Sequence, residues 1–169
     1  MRYWTVVFGD IPEELQLIVD HNIERWGMEV VREKAIDNPT PERLTVASDV
    51  YRWQRAAEAP EPECYVDLDC KILKPLDHYA PESLPYYPLG NLAATPQPDA
   101  FIMVVSRQLA QEVIRKGEAY CGFDTYCWPR KVLRDWPGIT QIDPSCYEHG
   151  TYSMLRRREM RRRAKGGQK

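Results

Sequence analysis

The segment Cys64-Tyr65-Val66-Asp67-Leu68-Asp69 is the most informative part of this sequence. Its first three residues are apolar or aromatic, which predicts a short buried strand, and the two aspartates follow directly. The preceding segment, Ala59-Pro60-Glu61-Pro62-Glu63, must end any helix before it. Two carboxylates therefore stand at the carboxyl end of a strand, which is where open α/β sheets place their ligands.

Strand and helix patterns alternate on both sides of this strand. Before it we predict a strand at 3–8, a helix from Pro12 to Trp26 ended by Gly27, a strand at 28–31 and a helix at 41–59 capped by Thr40. The apolar stripe of the first helix comprises Ile11, Leu15, Ile18, Val19, Ile23 and Trp26, and that of the second comprises Val46, Val50, Trp53 and Ala57.

Strand and helix patterns also alternate after Asp69. We predict loops with one short strand near Tyr86 at 75–98, a strand at 100–105 and a helix at 106–118 capped by Ser106. A shorter helix after Asp124, a strand at 139–142 and a turn-rich stretch to Tyr152 complete the pattern. Strands that alternate with helices indicate an α/β domain whose sheet is mostly parallel and flanked by helices.

Length and composition fit one compact domain. The chain has 169 residues and is 43% hydrophobic, which is enough to bury a core. We assign residues 1–155 to a single domain and residues 156–169 to a basic tail that we expect to be disordered. The five cysteines form no C-x-x-C pair, and the sequence shows neither a signal peptide nor an apolar run of about 20 residues. We therefore expect a cytoplasmic protein with reduced thiols.

Charge is distributed unevenly between the two parts. The tail holds eight lysines and arginines and a single acidic residue, Glu159. The remainder holds 15 basic and 24 acidic residues, a net charge of −9. A domain with this negative charge is a poor surface for nucleic acid but is well suited to bind a divalent cation. The tail alone could contact an anionic membrane surface, which would make the protein peripheral to the membrane, or RNA.

The acidic pair itself suggests metal chemistry. Asp67 and Asp69 supply hard oxygen ligands of the kind that Mg²⁺ or Mn²⁺ prefers, and such a cation would bridge the protein to a diphosphate. An isolated D-x-D also occurs where aspartates simply cap a turn and face solvent. The surrounding residues are needed to decide between these interpretations.

Three segments together resemble a known signature. Ser48-Asp49-Val50-Tyr51-Arg52, Tyr65-Val66-Asp67-Leu68-Asp69 and Leu73-Lys74-Pro75-Leu76-Asp77 resemble the S-D-x-x-R, Y-x-D-x-D and x-K-P-L-D elements of glycosyltransferases with a DXD sugar-binding region. This GT-A-type family includes polysaccharide and glycolipid transferases and the catalytic domains of clostridial glucosylating toxins. The family commonly has Gly-Gly-x-Tyr before the DXD, where this chain has Pro62-Glu63-Cys64-Tyr65.

The resemblance implies a compact, minimal GT-A-like domain that uses Mn²⁺ or Mg²⁺ to transfer a sugar with retention of configuration. The donor would be a UDP- or GDP-sugar, and the acceptor a saccharide, a glycolipid or a protein. Asp49 and Arg52 would contact the donor sugar and its diphosphate. Asp67 would bind sugar or ribose hydroxyls, and Asp69 would ligate the metal.

The resemblance implies roles for four further residues. His149, in a C-terminal segment typical of the family, would be a second metal ligand, and Phe8 would end the nucleotide-binding first strand. Asn91 and Asp124 would make acceptor-side and sugar-side contacts, so that Asp124 joins the aspartates of the D-x-D as a candidate catalytic residue. Alternative interpretations are a solvated histidine, a turn asparagine and a helix-capping aspartate.

Two other functions remain open at this point. The domain could be an inactive GT-A-like binding module that uses its arginine-rich tail to hold RNA or a membrane. It could also be another metal-dependent nucleotide enzyme, such as a nucleotidyltransferase, which would take a triphosphate substrate.

Overall fold

A computed structural model describes residues 1–38, 40–87, 97–120 and 128–150 of the chain. The helices are α1 Glu13–Trp26, α2 Pro41–Glu58, α3 Arg107–Tyr120 and α4 Trp128–Arg134, with a 3₁₀ turn at Pro144–Cys146. The strands are β1 Tyr3–Phe8, β2 Glu29–Glu33, β3 Cys64–Val66, β4 Cys70–Ile72, β5 Ser83–Leu84, β6 Tyr86–Tyr87, β7 Gln97–Pro98, β8 Ile102–Val104, β9 Thr140–Gln141 and β10 Tyr147–His149.

A six-stranded sheet in the order β2-β1-β3-β8-β5-β9 forms the centre of the domain. β1 runs parallel to β2 and β3, and β5 runs parallel to β9, whereas β8 is antiparallel to β3 and β5. The predicted α/β class with a mostly parallel, helix-flanked sheet is confirmed. Two smaller ribbons, β4 with β10 and β6 with β7, lie beside this sheet.

Side chains alternate between the two faces of the sheet, and each face carries its own core. Trp4 and Tyr65 pack with Trp53 of α2 and Leu109 of α3. On the other face, residues of β1, β3 and β8 pack with Val19 of α1 and with the buried residues of β4. The sheet is therefore covered on both faces, and β4 is held on the same face as α1.

The boundaries of the helices follow their capping residues. Thr40 caps α2 as predicted, because its side-chain oxygen accepts a hydrogen bond from the backbone N–H of Arg43 at 3.2 Å. Gly27 ends α1 in the left-handed conformation, at φ 64°. Ser106 caps α3, since its hydroxyl accepts from the N–H of Leu109 at 3.1 Å.

Several details of the sequence prediction were wrong: Val46 and Val50 are only partly buried although they were assigned to the core stripe of α2, and β4 was not predicted. Ile23 was placed on the buried stripe of α1, yet it is 41% exposed, and Asn22 is the fully buried residue at that level of the helix. The stretch before Tyr152 was expected to be turns, but it contains β10. A strand of three residues is too short to show a period, and its pairing with β4 depends on a partner far away in the sequence.

Three predicted features lie outside the described residues. These are Asn91, Asp124 and the basic tail at 156–169. Within the described ranges, no helix is both long and apolar enough to span a bilayer.

Candidate metal and donor site

A tight turn after β3 brings the two aspartates of the D-x-D together. The N–H of Asp67 donates to the carbonyl of Phe101 at 2.7 Å, which anchors the end of β3 to the residue before β8. The N–H of Cys70 then donates to the carbonyl of Asp67 at 3.0 Å and closes the turn. Two carboxylates that are two residues apart can therefore face one volume, as the metal interpretation requires.

β10 adds an imidazole to this volume. His149 lies opposite Cys70 in the antiparallel β4–β10 pair, and its Nε2 is 3.7 Å from Oδ1 of Asp69. Its ring stacks on Phe101, with the centroids 3.8 Å apart and the planes 7° from parallel. One ligand atom each from Asp67, Asp69 and His149 lies within 4.8 Å of the others. Two carboxylate oxygens and one imidazole nitrogen make a donor set that fits a divalent cation such as Mn²⁺.

Gly150, the small residue that follows His149, is part of this arrangement. Its N–H donates to the carbonyl of Asp69 at 3.0 Å. A Cβ atom at this position would lie 2.5 Å from Oδ2 of Asp69, closer than real Cβ contacts allow. Glycine is thus the residue that lets the end of β10 lie against the Asp69 carboxylate.

A buried polar network holds the other aspartate. Oδ1 of Asp67 accepts hydrogen bonds from the Tyr65 hydroxyl at 2.6 Å and from Nη1 of Arg52 at 3.1 Å. The same guanidinium forms an ion pair with Asp49, one helical turn earlier on α2. The Tyr65 hydroxyl also lies 2.9 Å from the hydroxyl of Ser48. The side chains of Arg52 and Asp49 are 8% and 5% exposed, so this ion pair is shielded from solvent.

The electrostatics of Asp67 favour a bound cation. Burial is the largest cause that raises the pKa of Asp67, and with Arg52 acting in the opposite direction and the nearby Asp69 carboxylate raising it as well, the pKa is about 6. Burial likewise raises the pKa of the Tyr65 hydroxyl, which therefore stays protonated and donates to Asp67. A divalent cation between the carboxylates would relieve their repulsion, so the residues present fit such an ion.

Six of the predicted site residues lie in the described part of the chain. The structure brings Asp49, Arg52, Asp67, Asp69 and His149 into one connected group. Phe8 ends β1, which runs parallel to β3, so it lies at the same edge of the sheet, with its ring edge-on to Tyr51 at 6.4 Å. Asn91 and Asp124 fall outside the described residues.

The sequence did not show how three further residues contribute to this site. Phe101 and Gly150 are ordinary in sequence, and neither carries a group that suggests metal chemistry. Tyr65 was quoted as part of the motif, but its hydroxyl contact with Asp67 was not foreseen. The tyrosine at the first position of the Y-x-D-x-D pattern was the one available signal, because alternate residues of a strand point to the same face.

The chain is similar to a solved structure described as the crystal structure of a glycosyltransferase involved in the glycosylation of the major capsid of PBCV-1. The match covers 94% of this chain and 97% of that chain, with a TM-score of 0.59 and 15% sequence identity. No protein-family model matches the sequence, and no curated protein matches it. The chain therefore has a GT-A-like glycosyltransferase fold with a possible acidic metal site at the end of β3.

Proposed function

We propose that this protein is a metal-dependent glycosyltransferase that moves a sugar from a nucleotide-sugar donor to a saccharide, lipid or protein acceptor. The observation that carries the proposal is the group formed by Asp67, Asp69 and His149, whose ligand atoms lie within 4.8 Å of one another. This group stands at the carboxyl end of a central strand in a fold shared with a solved glycosyltransferase.

The three residues of this group would hold Mn²⁺ or Mg²⁺. A cation bound there would stabilise the negative charge on the departing nucleoside diphosphate. The three carboxylates and the one guanidinium of the connected group carry a net formal charge of −2 when ionised, which one divalent cation balances. The charge of the site thus supports a divalent ion.

Arg52 orients the first aspartate in this proposal. Its guanidinium lies between the carboxylates of Asp49 and Asp67, and it lies 5.0 Å from the centre of the Tyr65 ring. These contacts fix Asp67 in one orientation before a donor arrives, so that no reorganisation is needed during the reaction. The positive charge of Arg52 also adds to the field that favours a departing diphosphate.

The donor is expected to be a UDP- or GDP-sugar that lies along the carboxyl ends of β1 and β3. Phe8 is proposed to contact its nucleotide, while Asn91 and Asp124 remain candidates for acceptor-side and sugar-side contacts. The transition state would resemble an oxocarbenium ion, so the acceptor hydroxyl must be placed accurately and water excluded. Retention of the anomeric configuration is part of the proposal and is checked by NMR of the product.

Calorimetric titration of a panel of UDP- and GDP-sugars, with and without Mn²⁺, tests the proposal. We expect one donor to bind in the presence of Mn²⁺, and we expect Asp69→Asn to weaken this binding about 100-fold, because the variant replaces an anionic metal ligand by a neutral amide. Asp135→Asn is the matched control, since Asp135 is a carboxylate with 69% side-chain exposure that pairs with Arg134. It should bind the donor as the wild type does.

Other outcomes would identify the alternatives. Donor binding or transfer that survives excess EDTA would contradict a metal-assisted reaction. Affinity for a nucleoside triphosphate in place of nucleotide sugars would indicate a nucleotidyltransferase. Salt-sensitive binding to RNA or anionic vesicles, lost on deletion of 156–169 and without any affinity for nucleotide sugars, would indicate a binding module.

A further inference from the structure

Helix α1 places polar side chains against the backbone of β4. The side-chain N–H of Asn22 donates to the carbonyl of Cys70 at 2.8 Å, and its Oδ1 accepts from the N–H of Ile72 at 3.0 Å. The indole N–H of Trp26 donates to the carbonyl of Ile72 at 3.0 Å, and Nε2 of His21 lies at the same distance from that oxygen. Three side chains of α1 thus lie within hydrogen-bond distance of the backbone along one edge of β4.

This edge of β4 is the one opposite β10. The N–H of Leu73 donates to the carbonyl of Cys146 at 2.8 Å on the β10 side, whereas the carbonyl of Cys70 and both backbone groups of Ile72 turn toward α1. Asn22 therefore takes the place that a third strand would have, with one donor and one acceptor matched to β4. A two-stranded ribbon alone is at best marginally stable in water, so this added edge is important for its order.

The buried amide also anchors β4 to α1. Asn22 has 0% exposure, and a buried amide without partners is strongly unfavourable. These two bonds hold β4 in place against α1, while its side chains select the register. A shift of β4 by one residue would bring the charged Lys71 side chain to the buried position of Cys70.

This register sets the positions of two metal-site residues. Asp69 immediately precedes Cys70, and His149 lies opposite Cys70 on β10. We propose that Asn22 is a positioning residue for the metal site: by fixing β4, it fixes the separation of Asp69 and His149 without touching the ion. The inference rests on the metal site of the proposed function, and it assigns a role in that site to helix α1.

Mn²⁺ binding and hydrogen exchange of the full chain test this inference. Asn22→Leu has a similar volume but removes both bonds to β4. Val19→Ala is the matched control, because Val19 is also on α1, is 0% exposed and belongs to the same core face, but its side chain has no polar group to bond β4. Mn²⁺ affinity is measured by electron paramagnetic resonance of the free ion, and backbone exchange by mass spectrometry of peptides that cover 70–73 and 146–150.

We expect Asn22→Leu to weaken Mn²⁺ binding at least tenfold and to speed exchange in both peptides, while Val19→Ala changes Mn²⁺ affinity less than twofold at a comparable loss of melting temperature. If Asn22→Leu does not fold, Asn22→Ser replaces it, since water can then reach the two backbone groups, and the same result is expected. Equal Mn²⁺ affinity in the Asn22 variant and the wild type would overturn the positioning role alone. A wild type that binds no Mn²⁺ would overturn the metal site and this inference with it.

Discussion

The two sides of the candidate site are built in different ways. The Asp67 side is a buried network whose members, from Ser48 to Asp67, are close in the sequence and rest on α2 and β3. The Asp69 side depends on His149 and Gly150, which β10 brings from a distant part of the chain. A short sequence motif contains the residues of the first side, whereas the residues of the second side come together only when β4 pairs with β10. Changes to the first side should therefore affect stability most, and changes to the second should affect metal affinity.

The largest effect is expected from Arg52→Met. This change removes the guanidinium that pairs with both the buried Asp49 carboxylate and Asp67. The free energy of unfolding should therefore fall by about 3–5 kcal/mol. Urea denaturation measures this loss. Arg115→Met, which removes an ion pair from a side chain that is 68% exposed, should lower the free energy by less than about 1 kcal/mol.

A second substitution sharpens this test. Adding Asp49→Asn to Arg52→Met removes one of the two uncompensated charges, so the double variant should recover about 1 kcal/mol or more relative to Arg52→Met. If the loss of unfolding free energy in the double variant equalled the sum of the losses in the two single variants, the ion pair between Asp49 and Arg52 would not account for the stability of this side.

A smaller effect is expected from Gly150→Ala, and it should appear as a loss of metal affinity. The new methyl group would meet the Asp69 carboxylate, so the carboxylate must move, and Mn²⁺ affinity should fall about 10- to 100-fold. Titration of the ion by electron paramagnetic resonance measures the change. Gly138→Ala is the control: it strains a glycine at φ 84°, but its Cβ would meet nothing within 4 Å. Unchanged affinity in Gly150→Ala would show that Asp69 is not a ligand in this orientation.

The smallest effect is expected from Phe101→Leu. This change removes the ring that stacks on His149, and Mn²⁺ affinity should fall about threefold, in line with the modest energy of such pairs. The effect should vanish in a background that carries His149→Ala, since the imidazole is then absent. A threefold loss that persists in that background would mean that Phe101 acts through the backbone bond to Asp67 instead.

The family resemblance named the residues of the Asp67 side, and their secondary structure could be predicted because its information is local. Helical spacing places Asp49 and Arg52 on neighbouring turns of α2, and the apolar run before Asp67 predicts a strand that ends at the acidic pair. The helix caps at Thr40 and Ser106 were likewise predictable, because a cap depends on residues within one turn.

The remaining features depend on partners that no local pattern reveals. Hydrophobic periodicity selected Ile23 for the inner face of α1, but the structure buries Asn22 because the backbone of β4 satisfies its amide. Nothing near Gly150 shows that a carboxylate lies against it. His149 was proposed from family resemblance, and its approach to Asp69 follows from a pairing that the sequence did not predict.

The pairing of β10 with β4 also has a consequence for the order of assembly during synthesis. His149 and Asp69 are about 80 residues apart along the chain, and closing so long a loop is slow compared with local structure formation. The buried residues of the core that contains Trp53 and Leu109 all precede β10 in the sequence, so a nascent chain can form this core before the ligand set is complete. Metal uptake would then follow the docking of the last described strand and would report that the domain has finished folding.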